Sequence, residues 1–293
     1  MSLITIQNEQ LTVVVDTVGA GLHSVVFRDA EYLWQGNAAY WARRDANLFP
    51  YVGRLTDGVY SYRGQNYPMT IHGFCIGREF SVTEQTADHV RLTITQGEDT
   101  LKMYPFRFAF HVNYTLVGNQ IRKLYIAENH DEKVMPFGLG GHPGFQVPMN
   151  GEGAFEDWYM DFMQECAPER CNLHPESYRL VEGTTPFPLE NGRRLSLQHS
   201  LFDLDAVVLA NVSGVIRIAS EKSDRSVTVD FTGTPFVGLW HKPKSDAPYV
   251  CIEPWMSLPS AEGGAKKWED KPAAAILAPG EAWSCTLSTS FVR

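Results

Sequence analysis

The sequence predicts an antiparallel all-β sandwich, on three observations. Short runs rich in Val, Ile, Thr and aromatic residues recur between turn residues, several of them alternate apolar with polar positions, and no sustained 3.6-residue periodicity interrupts them. Alternation matters because successive side chains of a strand point to opposite faces, so such a run buries one face and wets the other.

In chain order the predicted strands are Leu11–Val15, Ser24–Phe27, Val90–Ile94, Phe108–Leu116, Ile121–Ile126, Val215–Ile218 and Ser226–Phe231. Tyr62-Arg63-Gly64-Gln65 and Val117-Gly118-Asn119 read as hairpin turns joining neighbouring runs. The best helical candidates are short, near Ala154–Phe162 and Pro259–Glu269. Pro168–Pro188 is polar and turn-rich and reads as a long excursion over the surface. With no internal repeat, low-complexity stretch or linker, residues 1–293 are expected to form one domain, a size that large β sandwiches reach.

Composition excludes several function classes. The 25 Lys and Arg against 34 Asp and Glu give a formal net charge of −9, with the basic residues scattered, so nucleic acid and anionic membrane surfaces are not expected partners. No apolar run approaches the roughly 20 residues of a membrane span, and a cytoplasmic location is expected. The 5 cysteines are odd in number and widely spaced without a CxxC pair, which supports neither a disulfide framework nor a zinc ribbon.

The chemistry concentrates in a pair. His142 lies in Gly140-Gly141-His142-Pro143-Gly144-Phe145 and Glu253 in Cys251-Ile252-Glu253-Pro254-Trp255, each where a strand-like run meets Gly or Pro. One can give a proton and the other take one, which is what acid/base chemistry on an uncharged substrate requires. Three further segments add cations, acids and flat faces: Ala46–Leu55 followed by Ile71-His72-Gly73-Phe74, the acidic interruption Asp203-Leu204-Asp205 within an apolar run, and Phe236–His241. A pyranose offers an apolar face of C–H bonds and a rim of hydroxyls, which aromatic platforms and polar donors and acceptors complement.

At these residues the chain resembles the aldose 1-epimerase (galactose mutarotase) family, and more closely its LacX-like bacterial branch. The resemblance rests on an ordered set covering nearly the whole chain: Leu48–Arg54 with His72-Gly73-Phe74, Gly141-His142-Pro143, Asp203-Leu204-Asp205, Cys251–Trp255 and the turn Leu277–Glu281. It implies a galactose mutarotase-like β-supersandwich of two large antiparallel sheets, with the sugar on one concave face and neither metal nor organic cofactor. It also implies an isomerase with Glu253 as general base and His142 as general acid, and with Arg54, His72 and Asp205 holding hydroxyls. Where the better-known branch has an aromatic after His-Pro this chain has Gly144, and where that branch has a sugar-binding glutamine it offers Trp240-His241, so stacking by Trp240 is expected to replace a polar contact.

Other readings of the same residues stay open at this level. Glu253 could accept backbone N–H groups, Arg54 could pair with Asp57 or Asp205, and Trp240, Trp255 and Phe145 could belong to the core. A non-catalytic sugar-binding protein would keep Arg54, Asp205 and the aromatics, while a cupin-like metal enzyme would use His72, His142 and Glu253 as ligands. A glycosidase fits less well, since it normally needs two carboxylates. Arg43, Arg44, Arg78, Lys242 and Lys244 lie near the site segments in sequence, leaving open whether the sugar is free or 6-phosphorylated. The sequence is silent on oligomeric state.

Overall fold

A computed structural model describes residues 2–263, 267, 268, 271 and 273–293. Two large antiparallel sheets dominate. The first has 9 strands in the spatial order Arg194–Ser196, Trp158–Asp161, Val215–Ser220, Ser223–Asp230, Ala282–Val292, Gln120–Asn129, Phe108–Val117, His89–Thr95 and Ser81–Gln85. The second runs from Leu180–Pro186 through Glu169–Leu173, Val207–Ala210, Phe236–Trp240, Tyr249–Trp255 and Gly140–Gly141 to Asn47–Leu48, with Gly144–Gln146 also paired to Tyr249–Trp255. A 4-stranded sheet formed by Leu3–Gln7, Leu11–Asp16, Leu22–Phe27 and Ala30–Glu31 completes the framework.

Local sequence explains the pairings. Arg63 (φ 49°) and Gly64 (φ 79°) both take positive φ at the centre of the hairpin joining Val59–Tyr62 to Gln65–Pro68, the two-residue turn whose twist matches that of its strands. Gly118-Asn119 likewise closes the longest hairpin, in register from Phe108 opposite Asn129 to Val117 opposite Gln120. The expected strands are all present.

The core lies between the sheets and is strongly aromatic. Phe49, just after the edge strand of the second sheet, stacks on Phe110 of the first with centroids 4.3 Å apart and planes 5° apart. Burial of such a ring is worth roughly 1.5–3 kcal/mol, and the stack adds geometric preference.

A polar bridge crosses the same gap. Lys123, on a central strand of the first sheet, donates to Asp45 Oδ2 at 3.0 Å and to Asn47 Oδ1 at 3.3 Å, while Tyr125 OH donates to Asn47 Oδ1 at 2.6 Å. Asp45 also accepts the Leu22 and Ala46 N–H groups, and Asn47 donates to the Gly19 and Ala20 carbonyls. Each buried charge thus has hydrogen-bond partners beyond its counter-ion, the condition under which such a pair is tolerated.

Three expectations are corrected. The helix expected near Ala154–Phe162 is a single 3-10 turn, Phe155–Asp157, followed by the strand Trp158–Asp161, because pairing with Val215–Ser220 overrides a weak local preference. Of Pro259–Glu269, residues 259 and 260 are irregular, 261 is a bridge and 262–263 a turn, whereas 264–266 and 269 lie outside the described residues. The stretch 168–188, expected as a long excursion over the surface, does lie there but as an edge hairpin, Glu169–Leu173 with Leu180–Pro186, whose polar residues are those an exposed edge requires. The α-helix Glu98–Met103 was not predicted from the sequence.

Lys123→Met is expected to lower the unfolding free energy by about 3–5 kcal/mol in a denaturant titration, since it strands the buried Asp45 carboxylate. Adding Asp45→Asn should recover part of that loss. A single variant as stable as the parent would show that the pair does not hold the sheets.

Candidate active site

A cavity of about 590 Å³ opens on the second sheet, lined by Trp41, Arg43, Arg54, His72, Arg78, His142, Tyr178, Asp205, Trp240, Glu253 and Trp255 among others. All six residues singled out from the sequence, Glu253, His142, Arg54, His72, Asp205 and Trp240, line it. They come from chain segments far apart, brought together by strand order.

Glu253 stands on the central strand Tyr249–Trp255, opposite Gly238 of Phe236–Trp240. A Cβ at Gly238 would lie 3.4 Å from the Glu253 Cβ and 3.3 Å from the Trp255 ring, so a bare backbone there keeps the carboxylate's position open. His142 lies between the short strands Gly140–Gly141 and Gly144–Gln146, and its N–H donates to the Ala46 carbonyl at 2.9 Å. The His142 backbone is therefore anchored to the residue that follows Asp45 in the polar bridge.

His142 Nε2 is 3.3 Å from Glu253 Oε1, and the other carboxylate oxygen accepts from Trp255 Nε1 at 3.2 Å. His142 is 9% exposed and Glu253 1%. Burial pulls the imidazole down to about 4. Burial, then the nearby Asp205 charge, pushes the Glu253 carboxyl well above its ordinary value, with Trp255 opposing. Desolvation thus disfavours the ionised form of both partners, and a single proton shared between them is the low-energy arrangement.

His72 faces this pair. Its φ is 64°, and its ring is 5.7 Å from that of His142 at an interplanar angle of 81°. The His72 N–H donates to the Gly53 carbonyl at 3.0 Å while the Gly53 N–H donates back to Nδ1 at 3.2 Å, so Nδ1 is occupied and Nε2 is left for another partner. Gly73 (φ 80°) makes the turn possible, since a Cβ there would sit 2.2 Å from the Phe49 carbonyl oxygen. Burial, first, and the charges of His142, Arg54 and Lys271 hold His72 well below the ordinary imidazole range, making it a neutral ring.

Asp205, with φ 75°, accepts from Trp240 Nε1 at 2.8 Å. Burial raises its pKa, opposed by the Trp240 hydrogen bond and the Arg54 charge. The Arg54 guanidinium lies over the Tyr178 ring at 5.1 Å. Trp240 meets the His142 ring edge-on at 5.6 Å, whereas His241 is fully buried and bonds to the Lys242 carbonyl and to His199. Phe145 belongs to the core, while Trp255 is buried yet lines the cavity.

Two contributions were not read from the sequence. Trp41 stacks on the His142 ring with centroids 4.8 Å apart and planes 25° apart, and Gly144 leaves it room, since a Cβ there would be 3.2 Å from the indole. Tyr178 comes from the edge hairpin expected to be an excursion. Of the basic residues flagged, Arg43 and Arg78 line the cavity, while Arg44 turns away to the His23 carbonyl and Gln35.

The ligand set His72, His142 and Glu253 is not what the geometry gathers most tightly. Among the described residues, His142, Cys251 and Glu253 form the group of potential metal donors, with donor atoms all within 4.8 Å of one another. Burial and the Glu253 charge hold the Cys251 thiol well above its ordinary value, and among the described residues His142 Nδ1 is buried with no partner to orient the ring as a ligand.

The chain's relatives agree with this architecture. Residues 2–290 match the family described as aldose 1-epimerase. Protein LacX (chromosomal) of Lactococcus lactis subsp. lactis is 34% identical over 288 residues, covering 94% of this chain and 95% of the relative. The solved structure of a galactose mutarotase related enzyme from Lactobacillus acidophilus superimposes with a TM-score of 0.95 at 31% identity, over 100% of this chain and 98% of that one. A galactose mutarotase-like protein from Lactobacillus casei ATCC 334 gives a TM-score of 0.91 at 30% identity, over 99% and 100%. With the family match over residues 2–290, the LacX relatives and the mutarotase-like fold in agreement, the chain belongs to the aldose 1-epimerase family.

Proposed function

We propose that the protein interconverts the α and β anomers of an aldohexose or a related sugar by acid/base ring opening, with Glu253 as general base and His142 as general acid. The observation that carries this reading is the buried pair at 3.3 Å on an aromatic-lined cavity. That spacing suits two oxygens borne by one hemiacetal carbon, each approached at hydrogen-bond distance.

Glu253 takes the proton from the anomeric O1 hydroxyl while His142 gives one to the ring oxygen; the C1–O5 bond breaks and C1=O1 forms. Rotation about C1–C2 presents the other aldehyde face. On closure His142 takes the O5 hydroxyl proton and protonated Glu253 returns one to O1, so both groups end as they began. His72 Nε2, Arg54 and Asp205 hold hydroxyls, and Trp240 offers the sugar a flat face beside the acid.

Glu253→Gln should keep the fold and sugar binding and lose about 10²–10⁴ in anomerisation rate by polarimetry, since an amide cannot accept the O1 proton. A variant with the parental rate would remove Glu253 from the chemistry. Sugar binding with no anomerisation in the parent would point to a binding protein.

The pH profile follows from the shared proton. Activity requires the singly protonated pair, so the rate falls as the pH drops through the lower apparent pKa, when both partners carry protons and no base remains. It falls again as the pH rises through the upper one, when the last proton leaves. Burial pulls the imidazole towards about 4 and lifts the carboxyl, so the acidic limb reflects second protonation of the pair, mainly on His142, and the alkaline limb loss of the last proton, mainly from Glu253. The microscopic order is the reverse of that for an isolated carboxylate and imidazole. His142→Asn should abolish the bell; an unchanged bell in that variant would make His72 the next acid to test.

Exhaustive chelation should leave activity and melting temperature unchanged. Loss of both would favour a metal at His142, Cys251 and Glu253, whose removal exposes unpaired buried donors.

A further inference from the structure

The imidazole of His142 lacks the device that usually fixes a catalytic histidine. A ring that works through one nitrogen is normally oriented by a hydrogen bond at the other, yet here Nδ1 is buried with no partner among the described residues. The polar contact the ring does make, Nε2 to Glu253 Oε1 at 3.3 Å, joins the proposed acid to the proposed base. A sugar held between the two replaces that contact with its own oxygens, so the contact cannot orient the ring through the reaction.

What the ring does have is an aromatic face. Trp41 stacks on it with centroids 4.8 Å apart and planes 25° apart, while Trp240 and His72 meet it edge-on at 5.6 and 5.7 Å. Trp41 is itself held in place. Its carbonyl accepts from Trp34 Nε1 at 2.9 Å and from the Asn37 N–H at 3.0 Å, closing a turn in which Gly36 takes φ 73° and a Cβ would lie 2.7 Å from the Ala42 carbonyl oxygen. Tyr249, on the strand that carries Glu253, lies nearly parallel to the Trp41 ring at 5.9 Å and stacks on Trp34 at 4.6 Å. Gly144 leaves the space that the indole fills, since a Cβ there would be 3.2 Å from its Cζ3. Ring contacts through Trp41 thus tie the acid to the strand of the base.

We infer that Trp41 is the positioning residue of the proposed acid: its indole face, standing in for a hydrogen bond at Nδ1, holds the His142 ring where Nε2 serves both Glu253 and the sugar. This inference rests on the acid/base reading of the pair. A stack suits the task because it fixes the plane of a ring through packing alone. A carboxylate or carbonyl at Nδ1 would instead raise the proton affinity of the imidazole, and the shared proton would settle there. The same indole keeps water from His142, and so maintains the burial that pulls the imidazole down to about 4. The titratable groups facing that ring are Glu253, Cys251 and His72, with the Asp45 charge raising its proton affinity and the Arg43 charge lowering it; replacing Trp41 removes none of them.

The test compares the parent with Trp41→Phe, Trp41→Leu and Gly144→Ala, by polarimetry and by titrating the His142 ring C–H in nuclear magnetic resonance spectra of the sugar-free protein. Trp41→Leu should lose roughly ten-fold or more in kcat with KM within about three-fold, because a misplacement of about 1 Å can cost on the order of 10² in rate. Its His142 titration should rise from about 4 towards the ordinary 6.5 as water reaches the imidazole, with the acidic limb of the pH profile following. Trp41→Phe keeps a ring face and should recover most of both. Gly144→Ala retains the indole and displaces it, so it should move both readouts in the direction of Trp41→Leu, and it decides the matter if Trp41→Leu does not fold. Parental kcat and titration in Trp41→Leu or in a folded Gly144→Ala, or a Trp41→Phe no better than Trp41→Leu, would overturn the inference. A rise in KM alone would also overturn it and make the indole a sugar platform. The sugar-free titration separates this outcome from failure of the catalytic reading. A shift in Trp41→Leu that Trp41→Phe reverses supports the positioning role even if the parent anomerises no sugar, and an unmoved titration refutes it even if anomerisation is found.

Discussion

The contact on which the site depends is the buried bridge from Lys123 to Asp45. It joins the first sheet to the segment that enters the second, and its anchors are fully used: Asp45 takes two backbone N–H groups and the ammonium, and Asn47 takes Lys123 and Tyr125 while holding two carbonyls of the 19–20 turn. A charge pair so enclosed adds little net stability over an apolar replacement, but it admits few alternative arrangements. Ala46, between these two anchors, receives the His142 N–H. The backbone of the proposed acid is therefore fixed through a polar network, while its imidazole meets Glu253 through Nε2 and has no partner at Nδ1 among the described residues.

The proposed base is held by the complementary device. Glu253 sits on a strand buried along its whole length, where backbone pairing on both sides leaves no freedom, and the neighbouring strand supplies Gly238 where any side chain would crowd it. Rigid strands position a group more closely than loops do, and a polar side chain on such a strand carries a desolvation cost that only partners or a ligand can offset. Here the carboxylate's fixed partners are one indole N–H and one imidazole. Its remaining hydrogen-bonding capacity faces the cavity, available to a sugar hydroxyl.

Much of this was legible in the sequence, for definite reasons. The long strands announced themselves because one face of each is buried, and His142 and Glu253 stood out because Gly and Pro flank polar residues in apolar surroundings. The edge hairpin over 168–188 was misread because a strand exposed on most of its length, such as Leu180–Pro186, lacks the alternation that marks a half-buried one. The helix Glu98–Met103 spans 6 residues, too few for a 3.6-residue period to repeat. Trp41 carries no local signal at all: its stack on His142 exists because Gly144, remote in sequence, leaves the space. Arg43 and Arg78 were visible as charges, yet only the fold puts them at the cavity and sends Arg44 elsewhere.

A reaction that opens a ring and closes it from the other face asks the same two groups to act as acid and as base in turn. Such a pair works best when moving the proton between its members costs little in either direction, because a strong preference for one partner would speed one half of the cycle and slow the other. In water the carboxyl and imidazole begin at ordinary values of 4.5 and 6.5, with the proton favouring the imidazole. Enclosure by Trp41, Trp240 and Trp255 moves the two in opposite directions, the imidazole down and the carboxyl up, so their proton affinities cross. The Trp255 N–H acts against that inversion by stabilising the carboxylate, and the Asp205 charge acts with it by opposing ionisation of Glu253. The dry aromatic enclosure thus inverts the order that water would impose, and a substrate hydroxyl bonded to the ionised carboxylate is what lowers the cost of moving the proton back to the imidazole.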